Sequence, residues 1–150
     1  MDIPCGTIPN ESPSIASSRL LAEANFLKEN PIEDCEAFPQ FDDIMKWTAV
    51  VRGPKGSYYE GGTFFFEMHF SKDYPHIPPL LVFLTRIYHP RINVKGEIDL
   101  PMLNQLTWNP CGTVGDVLKG VRALLMEKIE EDDDKQEETI AREWTKRFAC

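Results

Sequence analysis

Apolar residues recur every three or four positions near the start of this 150-residue chain, the spacing that places side chains on one side of a helix. In residues 17–31 the recurring residues are Leu20, Leu21, Ala24 and Leu27. Ser17 or Ser18 is suited to cap such a helix, and Asn30-Pro31 is suited to end it. The pattern therefore predicts a first helix that stops before Pro31.

The middle of the chain alternates between apolar and polar residues, which is typical of half-buried strands. The alternation is clearest in the stretches KWTAVVRG (46–53), TFFFEMHF (63–70) and PLLVFLTR (79–86). Turns rich in Gly and Pro, GPKGSYYEGG and YPHIPP, separate these stretches. Short strands joined by such turns favour an antiparallel meander with one face packed on helices.

Helical spacing returns in residues 113–131, where Thr113 is suited to cap a helix and Asp116 lies in its first turn. A last helix is predicted over residues 138–150, with Ile140, Trp144 and Phe148 on one stripe. The order of helix, three or four strands, loop and two helices predicts an α+β fold. We expect a single domain over residues 15–150, preceded by a flexible arm of residues 1–14 that contains three prolines.

The charge of the chain is concentrated in one segment. The formal net charge is −8, and residues 127–138, EKIEEDDDKQEE, hold eight acids against two lysines. This acidic segment therefore carries −6, and the remaining residues carry only −2. A body so close to neutral has no basic surface that would follow a phosphate backbone, so nucleic acid is not an expected partner. A solvated linker or helix surface is the expected role of the acidic segment.

The cysteines and the N-terminus indicate the cellular compartment. Cysteines stand at positions 5, 35, 111 and 150, and no C-x-x-C pair of the kind that binds zinc occurs. No secretory signal and no apolar run of membrane-spanning length occurs. We therefore expect free thiols, a cytosolic or nuclear location and no membrane partner, and no cofactor or metal is expected.

The loop YHPRINVKGEIDLP, residues 88–101, is rich in turns and polar residues but lacks Ser, Cys and Thr. Alone, Asp99 favours a hydrogen-bonding role in a turn over acid–base catalysis, even with Glu97 two residues away. His89, before Pro90, favours a structural hydrogen bond over the role of general base. Cys111, in WNPCGT, precedes a predicted helix N-terminus, where the pKa of a thiol can be lowered. It is the candidate nucleophile, although a passive loop thiol is the simpler interpretation.

Several strings occur together in an order that is specific to one family. They are WTAVVRGPKGSYYEGGTFFFEMHFSKDYPHIPPLLVF, IYHPRIN-x-x-G-x-I-x-L, LTWNPCGTVGDVLKGVRALL and the terminal AREWTKRFA. Together they resemble the ubiquitin-conjugating enzymes, in particular the small single-domain members that act with RING-type ligases. The resemblance implies an N-terminal helix, a four-stranded antiparallel meander, an active-site loop and C-terminal helices. It also implies transfer of ubiquitin through a cysteine thioester.

The resemblance breaks at the residues that carry this chemistry. The family's nucleophilic cysteine precedes a Leu-Asp pair, and here Asp99 stands at the cysteine position and Pro101 at that of the aspartate. Arg91 replaces the asparagine that is held to stabilise the oxyanion, whereas His89 and Pro90 remain. Transfer from a thioester to a carboxylate would give a mixed anhydride, which is uphill and quickly hydrolysed. Three changes in one pocket indicate a natural loss of activity.

The surfaces that the family presents to its partners differ as well. On the side of the activating enzyme Arg19 matches, while Ser18 and Ala22 replace common basic residues. At the positions that the resemblance places toward a RING-type ligase, this chain has His76 where an aromatic residue is usual, and Asn109-Pro110-Cys111 where Ser-Pro-Ala is usual. Glu36 occupies a position that is often a small serine on the back face, which binds ubiquitin non-covalently. Because the segment after Leu125 is short and acidic, we expect the third helix to be shortened, missing or replaced by an extension of the second.

Three hypotheses about function follow from these observations. The first is a catalytically inactive variant that binds an active conjugating enzyme, a ligase, or ubiquitin or a related modifier. The second is an active enzyme whose nucleophile has moved to Cys111. The third is a scaffold that binds a basic partner through the acidic segment 127–138.

Overall fold

The computed structural model describes residues 14–127 and 134–150. Its helices are α1 (Ile15–Glu29), α2 (Val114–Met126) and α3 (Asp134–Trp144), and α3 continues as a π-helical turn over Thr145–Ala149. The strands are β1 (Cys35–Gln40), β2 (Asp43–Arg52), β3 (Thr63–His69) and β4 (Leu80–Phe83). A short 3-10 helix spans Pro101–Leu103. This order confirms the predicted α+β fold.

Helix α1 starts earlier than predicted. Its N-cap is Ser14, whose hydroxyl accepts the amide N–H of Ser17 at 3.0 Å, so the prediction of Ser17 or Ser18 as the cap is wrong. The added turn is favoured because it buries Ala16. The helix ends as predicted, with Asn30 as its C-cap. Apart from Ser14, the predicted arm of residues 1–14 lies outside the described residues.

The four strands form one antiparallel sheet in the order β1-β2-β3-β4. Trp47 pairs with Met68 and Ala49 with Phe66, so the apolar positions of neighbouring strands point to the same face. That face is the inner one, and Trp47, Ala49, Phe66 and Met68 are all fully buried. The period-two pattern of the sequence therefore produces the layer on which α1 and α2 pack.

Helix α2 carries the capping box that its sequence predicts. The Thr113 hydroxyl accepts the amide N–H of Asp116 at 3.2 Å, and the Asp116 carboxylate accepts the amide N–H of Thr113 at 3.0 Å. Both bonds satisfy amide groups that have no partner within the helix. The apolar side of α2 is buried on the sheet and consists of Val114, Val117, Leu118, Val121, Leu124 and Leu125.

The predicted extent of α2, through residue 131, is wrong, because the helix ends at Met126. The carbonyl oxygen of Leu124 already accepts the amide N–H of Glu127 at 3.2 Å. Nε2 of His89 lies 3.1 Å from the same oxygen and is its second hydrogen-bond partner. With both lone pairs occupied, this carbonyl cannot accept the next amide of a continuing helix. An extension of the second helix in place of the third is thus ruled out, and α3 begins separately at Asp134.

The C-terminal segment packs across the sheet end near the loop 88–101. Tyr88 and Trp144 form an edge-to-face pair with ring centroids 5.7 Å apart, and Trp144 packs on Phe148 at 5.6 Å. Trp144 and Phe148 are the two aromatic residues of the apolar stripe predicted for the last helix. Among the described residues, no helix is long and apolar enough to cross a membrane.

Candidate functional site

The loop 88–101 is held in shape mainly by its own backbone. The amide N–H of Gly96 bonds to the carbonyl of Asn93 at 2.9 Å, and the amide N–H of Asp99 bonds to the carbonyl of Arg91 at 2.7 Å. Gly96 has a positive φ of 87°, and a Cβ there would collide with the Phe83 carbonyl. Glycine is therefore required where the loop meets β4.

His89 anchors the start of this loop to α2. The residue is 7% exposed, and its ring stacks on Tyr59 with centroids 5.9 Å apart. Nδ1 accepts the amide N–H of Arg91 at 3.0 Å, and Nε2 lies 3.1 Å from the carbonyl of Leu124. Because an amide only donates and a carbonyl only accepts, the neutral ring with its proton on Nε2 satisfies both partners. Neither nitrogen is left to act as a general base.

Burial, which disfavours the imidazolium, lowers the pKa of His89 below its ordinary value. The hydrogen bond with Leu124 and the charge of Glu127 act in the opposite direction but are weaker causes. The neutral form is therefore the one that the fold stabilises. This arrangement gives His89 the structural hydrogen bonds that the sequence analysis favoured for it.

Asp99 lies at the solvent-exposed end of the same loop. Its carboxylate makes no hydrogen bond or ion pair with any residue in the described part of the chain, and Glu97 is exposed as well. The two acids are separated by Ile98, which forms a bridge with Ile92. No acid–base pair with a shared proton is formed by these carboxylates. The position that the resemblance assigns to a thiolate thus presents an exposed carboxylate to solvent.

Arg91 does not direct its guanidinium to Asp99. Its Nε lies 3.7 Å from Oε2 of Glu127, which directly follows α2. The backbone of Arg91 takes part in two other bonds of the loop, through its amide to His89 and through its carbonyl to Asp99. Arg91 therefore connects the loop to the end of α2 at an exposed ion pair.

Cys111, the alternative nucleophile, lies in a separate loop that precedes α2. It is exposed, and its amide N–H bonds to the side-chain oxygen of Asn109 at 2.9 Å. Its sulfur accepts or donates no hydrogen bond among residues 14–127 and 134–150, so no base is positioned on it there. The structure thus gives Cys111 exposure but no activating partner within those residues.

The residues that the resemblance places toward a ligase come together on two adjacent loops. His76 is exposed in the loop 74–79, and Asn109 and Pro110 are exposed in the loop before α2. The buried indole N–H of Trp108 bonds to the carbonyl of Pro75 at 2.7 Å and joins these loops. We call the surface formed by His76, Asn109 and Pro110 the ligase-facing surface, after the role that the resemblance implies for these positions.

Arg19, assigned to the side of the activating enzyme, is turned partly inward. Its guanidinium donates to the carbonyl of Gly112 at 2.9 Å and to the carboxylate of Glu23 at 3.1 Å. Its side chain is 30% exposed, so part of the cation remains available at the surface. Glu23, which belongs to none of the motifs predicted from the sequence, is a buried carboxylate. The spacing of four residues between Arg19 and Glu23 on a helix was the available indication.

Glu36 is exposed on the outer face of the sheet, as its strand position requires. Its carboxylate lies 3.1 Å from the guanidinium of Arg52 on the neighbouring strand. Phe38 and Phe65 are also exposed on this face. A charged pair therefore stands at the position where the family often has a small residue.

Among residues 14–127 and 134–150, no group of three or more His, Cys, Asp and Glu side chains converges as a metal site would require.

The acidic segment 127–138 lies partly outside the described residues. Glu127 and Glu138 are described, and they pair with Arg91 and Arg142. Part of its charge is therefore compensated within the chain.

Comparison with protein families agrees with the fold and with the quoted strings. The family model for ubiquitin-conjugating enzymes matches residues 19–149 of this chain. The match begins within α1 at residue 19 and includes the sheet, the loop 88–101 and the C-terminal helices. The chain belongs to the ubiquitin-conjugating enzyme family.

Proposed function

We propose that this chain is a catalytically inactive member of its family that binds another protein of the ubiquitin, or ubiquitin-like, conjugation pathway. The observation that carries the proposal is Asp99, an exposed carboxylate at the end of an otherwise well-bonded active-site loop. A carboxylate cannot form the thioester on which the family's transfer depends. The partner is an active conjugating enzyme, a RING-type ligase or the modifier itself.

The environment of Asp99 supports this proposal. Arg91 directs its guanidinium to Glu127, and His89 uses both ring nitrogens in hydrogen bonds. A donor aimed at a developing oxyanion and a free general base are both missing among these side chains. The backbone of the loop nevertheless keeps a defined shape. Retention of the scaffold without its chemistry favours a role in binding.

A thioester-loading assay tests the inactivity. The chain is incubated with activating enzyme, ATP and ubiquitin, beside a family member that has its cysteine as a positive control. We expect no adduct that is sensitive to reductant. An adduct that disappears in Cys111→Ser would contradict the proposal and establish the relocated nucleophile instead.

A binding assay tests the role in the pathway. Purified ubiquitin, an active conjugating enzyme and RING domains are titrated separately into the labelled chain. We expect saturable binding of at least one of them. A variant with its acidic segment neutralised to glutamine and asparagine is the matched control, since unchanged binding by this variant counts against a basic partner of that segment.

We also propose a cytosolic or nuclear location. Cys35, Cys111 and Cys150 are free thiols, which suits a reducing compartment. Fluorescence imaging of the tagged full chain tests this proposal.

A further inference from the structure

Glu23 of α1 is a buried carboxylate that accepts three hydrogen bonds. Oε1 accepts the amide N–H of Val114 at 2.6 Å. Oε2 accepts the hydroxyl of Tyr74 at 2.7 Å and Nε of Arg19 at 3.1 Å. The residue is 8% exposed, so these bonds are shielded from water. A buried ionised group that accepts several donors is strongly held in position.

The three donors belong to three segments that are distant in sequence. Arg19 lies on α1, Tyr74 begins the loop that carries His76, and Val114 is the first residue of α2, directly after the loop of Asn109 and Pro110. Arg19 adds a second bond to this last loop, through the carbonyl of Gly112 at 2.9 Å. One carboxylate therefore fixes α1 and both loops of the ligase-facing surface relative to one another.

The bond to Val114 also has a local cause. The amide groups in the first turn of α2 have no acceptor within the helix, and the helix dipole favours a negative charge there. The capping box serves the amide of Asp116, and Glu23 serves that of Val114 from another helix. The charge of Glu23 thus stabilises the start of α2 at a fixed distance from α1.

We infer that Glu23 is a positioning residue for partner binding, which sets the two loops of the ligase-facing surface in register with α1. The inference rests on the proposed function, because it takes a RING-type ligase as the partner of that surface. It adds that the surface depends on a side chain that the partner does not touch. Glu23 touches no reacting group and is therefore not a catalytic residue.

Glu23→Gln tests the inference without changing the size of the side chain. An amide has one acceptor oxygen, and its nitrogen only donates. If the nitrogen replaces Oε1 it faces the N–H of Val114, and if it replaces Oε2 it faces Nε of Arg19. Either orientation therefore places the amide nitrogen against an N–H donor and breaks at least one bond.

The first measurement is hydrogen exchange of the backbone amides, followed by NMR. In Glu23→Gln we expect shift changes at the donors of Glu23, within residues 19–23, 74–79 and 109–114, and exchange of the Val114 amide about tenfold faster or more where the side-chain nitrogen takes the place of Oε1. Glu29→Gln is the matched control, because Glu29 lies on the same helix, is exposed and has no polar partner within the described chain. Unchanged exchange at Val114 together with unchanged shifts in residues 74–79 and 109–114 of Glu23→Gln would overturn the positioning role.

The second measurement is the affinity for a panel of purified RING domains by calorimetry. We expect Glu23→Gln to weaken the binding of a domain that recognises the wild-type chain by about tenfold, and Glu29→Gln to change it less than about twofold. Equal affinity of Glu23→Gln and wild type overturns the inference alone. Failure of the wild type to bind any RING domain removes the ligase from the proposed function and the assignment of the surface with it.

Two more variants separate positioning from general destabilisation. Val51→Ala truncates a fully buried side chain of β2 and lowers stability without removing a bond of Glu23. It is expected to leave the affinity for the RING domain within about twofold of wild type. Tyr74→Phe removes one donor and leaves the other two, so it serves if Glu23→Gln does not fold. Normal RING affinity in Tyr74→Phe, or a loss in Val51→Ala equal to that in Glu23→Gln, would contradict the inference.

Discussion

The two ends of the loop 88–101 differ in how their side chains are used. At the start, His89 is buried, stacks on Tyr59 and hydrogen-bonds through both ring nitrogens. At the end, the carboxylate of Asp99 is exposed and without a polar partner in the described part of the chain. The loop therefore depends on His89 for its conformation and not on the side chain at position 99. A position that does not support the fold can lose its nucleophile without loss of the scaffold.

The same contrast holds between the two regions where loops meet α2. At the N-terminus of α2, the buried carboxylate of Glu23 accepts hydrogen bonds from three donors. Near the C-terminus of α2, Arg91 and Glu127 form an exposed ion pair, with Nε and Oε2 3.7 Å apart. The first site lies beneath the proposed partner surface, and the second lies at the loop that carries Asp99. The shorter, buried bonds are found where binding is proposed, and the longer, exposed pair lies where a loss of catalysis is proposed.

Alanine substitutions at the two ends of the loop give the largest expected difference. His89→Ala leaves the amide of Arg91 and the carbonyl of Leu124 without their partner and opens a cavity beside Tyr59. We expect a loss of about 3 kcal/mol in the free energy of unfolding, against less than about 0.5 kcal/mol for Asp99→Ala. Urea denaturation followed by circular dichroism measures both. Equal losses in the free energy of unfolding would show that His89 and Asp99 contribute equally to the stability of the fold.

Substitution by the residues that the family resemblance implies tests how many positions account for the proposed loss of activity. Asp99→Cys alone introduces a thiol but leaves Arg91 and Pro101 in place, so we expect little discharge of ubiquitin to lysine. The triple variant with Arg91→Asn and Pro101→Asp should discharge ubiquitin about tenfold faster or more than the single variant, because it also restores the oxyanion donor. Single-turnover discharge measures the rates. Robust discharge by Asp99→Cys alone would show that one residue accounts for the loss.

The structural elements that were predictable are those specified by local pattern. Thr113 and Asp116 form their capping box within four residues, and the alternation of Phe64, Phe66 and Met68 directly indicates a buried strand face. Strand β1 was less evident, since CEAFPQ contains Pro39 and is mostly exposed or half-buried. Proline and weak alternation remove the usual strand pattern, and β1 is recognised by its pairing with β2.

The parts of the site that sequence did not predict depend on distant contacts. Glu23 bonds to Tyr74 and Val114, which are 51 and 91 residues away along the chain. The end of α2 at Met126 depends on His89, 35 residues before Leu124, because the ring occupies a carbonyl of the last turn. Neither partner is visible in a local window. For Asp99 the sequence was sufficient to identify the position, because the resemblance places it where the family has its cysteine. Only the structure shows that its side chain is exposed.

The buried state of His89 also predicts a dependence of stability on pH. Burial lowers its pKa from the ordinary value of 6.5, so the unfolded chain binds the proton at higher pH than the folded chain does. The contribution of His89 is therefore full above pH 6.5 and is lost as pH falls through the range down to its lowered pKa. The slope from this residue is at most about 1.4 kcal/mol per pH unit. Urea denaturation between pH 7.5 and pH 5, at about half-unit steps, measures it.

The control for the pH dependence is a histidine that the fold does not bury. His69 has a side chain that is 40% exposed and lies 3.3 Å from Glu67 on the outer face of the sheet. His89→Gln should flatten the fall in stability below pH 6.5, while His69→Gln should retain it. A slope that is unchanged in His89→Gln would assign the dependence to other groups.

The smallest expected effect is at the ion pair between Arg91 and Glu127. The two side chains are 40% and 50% exposed with Nε and Oε2 3.7 Å apart, so water and salt screen their attraction. A double-mutant cycle of Arg91→Gln and Glu127→Gln should give a coupling below about 0.5 kcal/mol, and it should vanish at about 1 M salt. Denaturation of the four proteins at low and high salt measures it. A coupling well above this limit that persists in salt would mean that Arg91 fixes the loop to α2 as firmly as His89 does. The loop would then have two strong connections to α2, a buried one through His89 and an exposed one through Arg91.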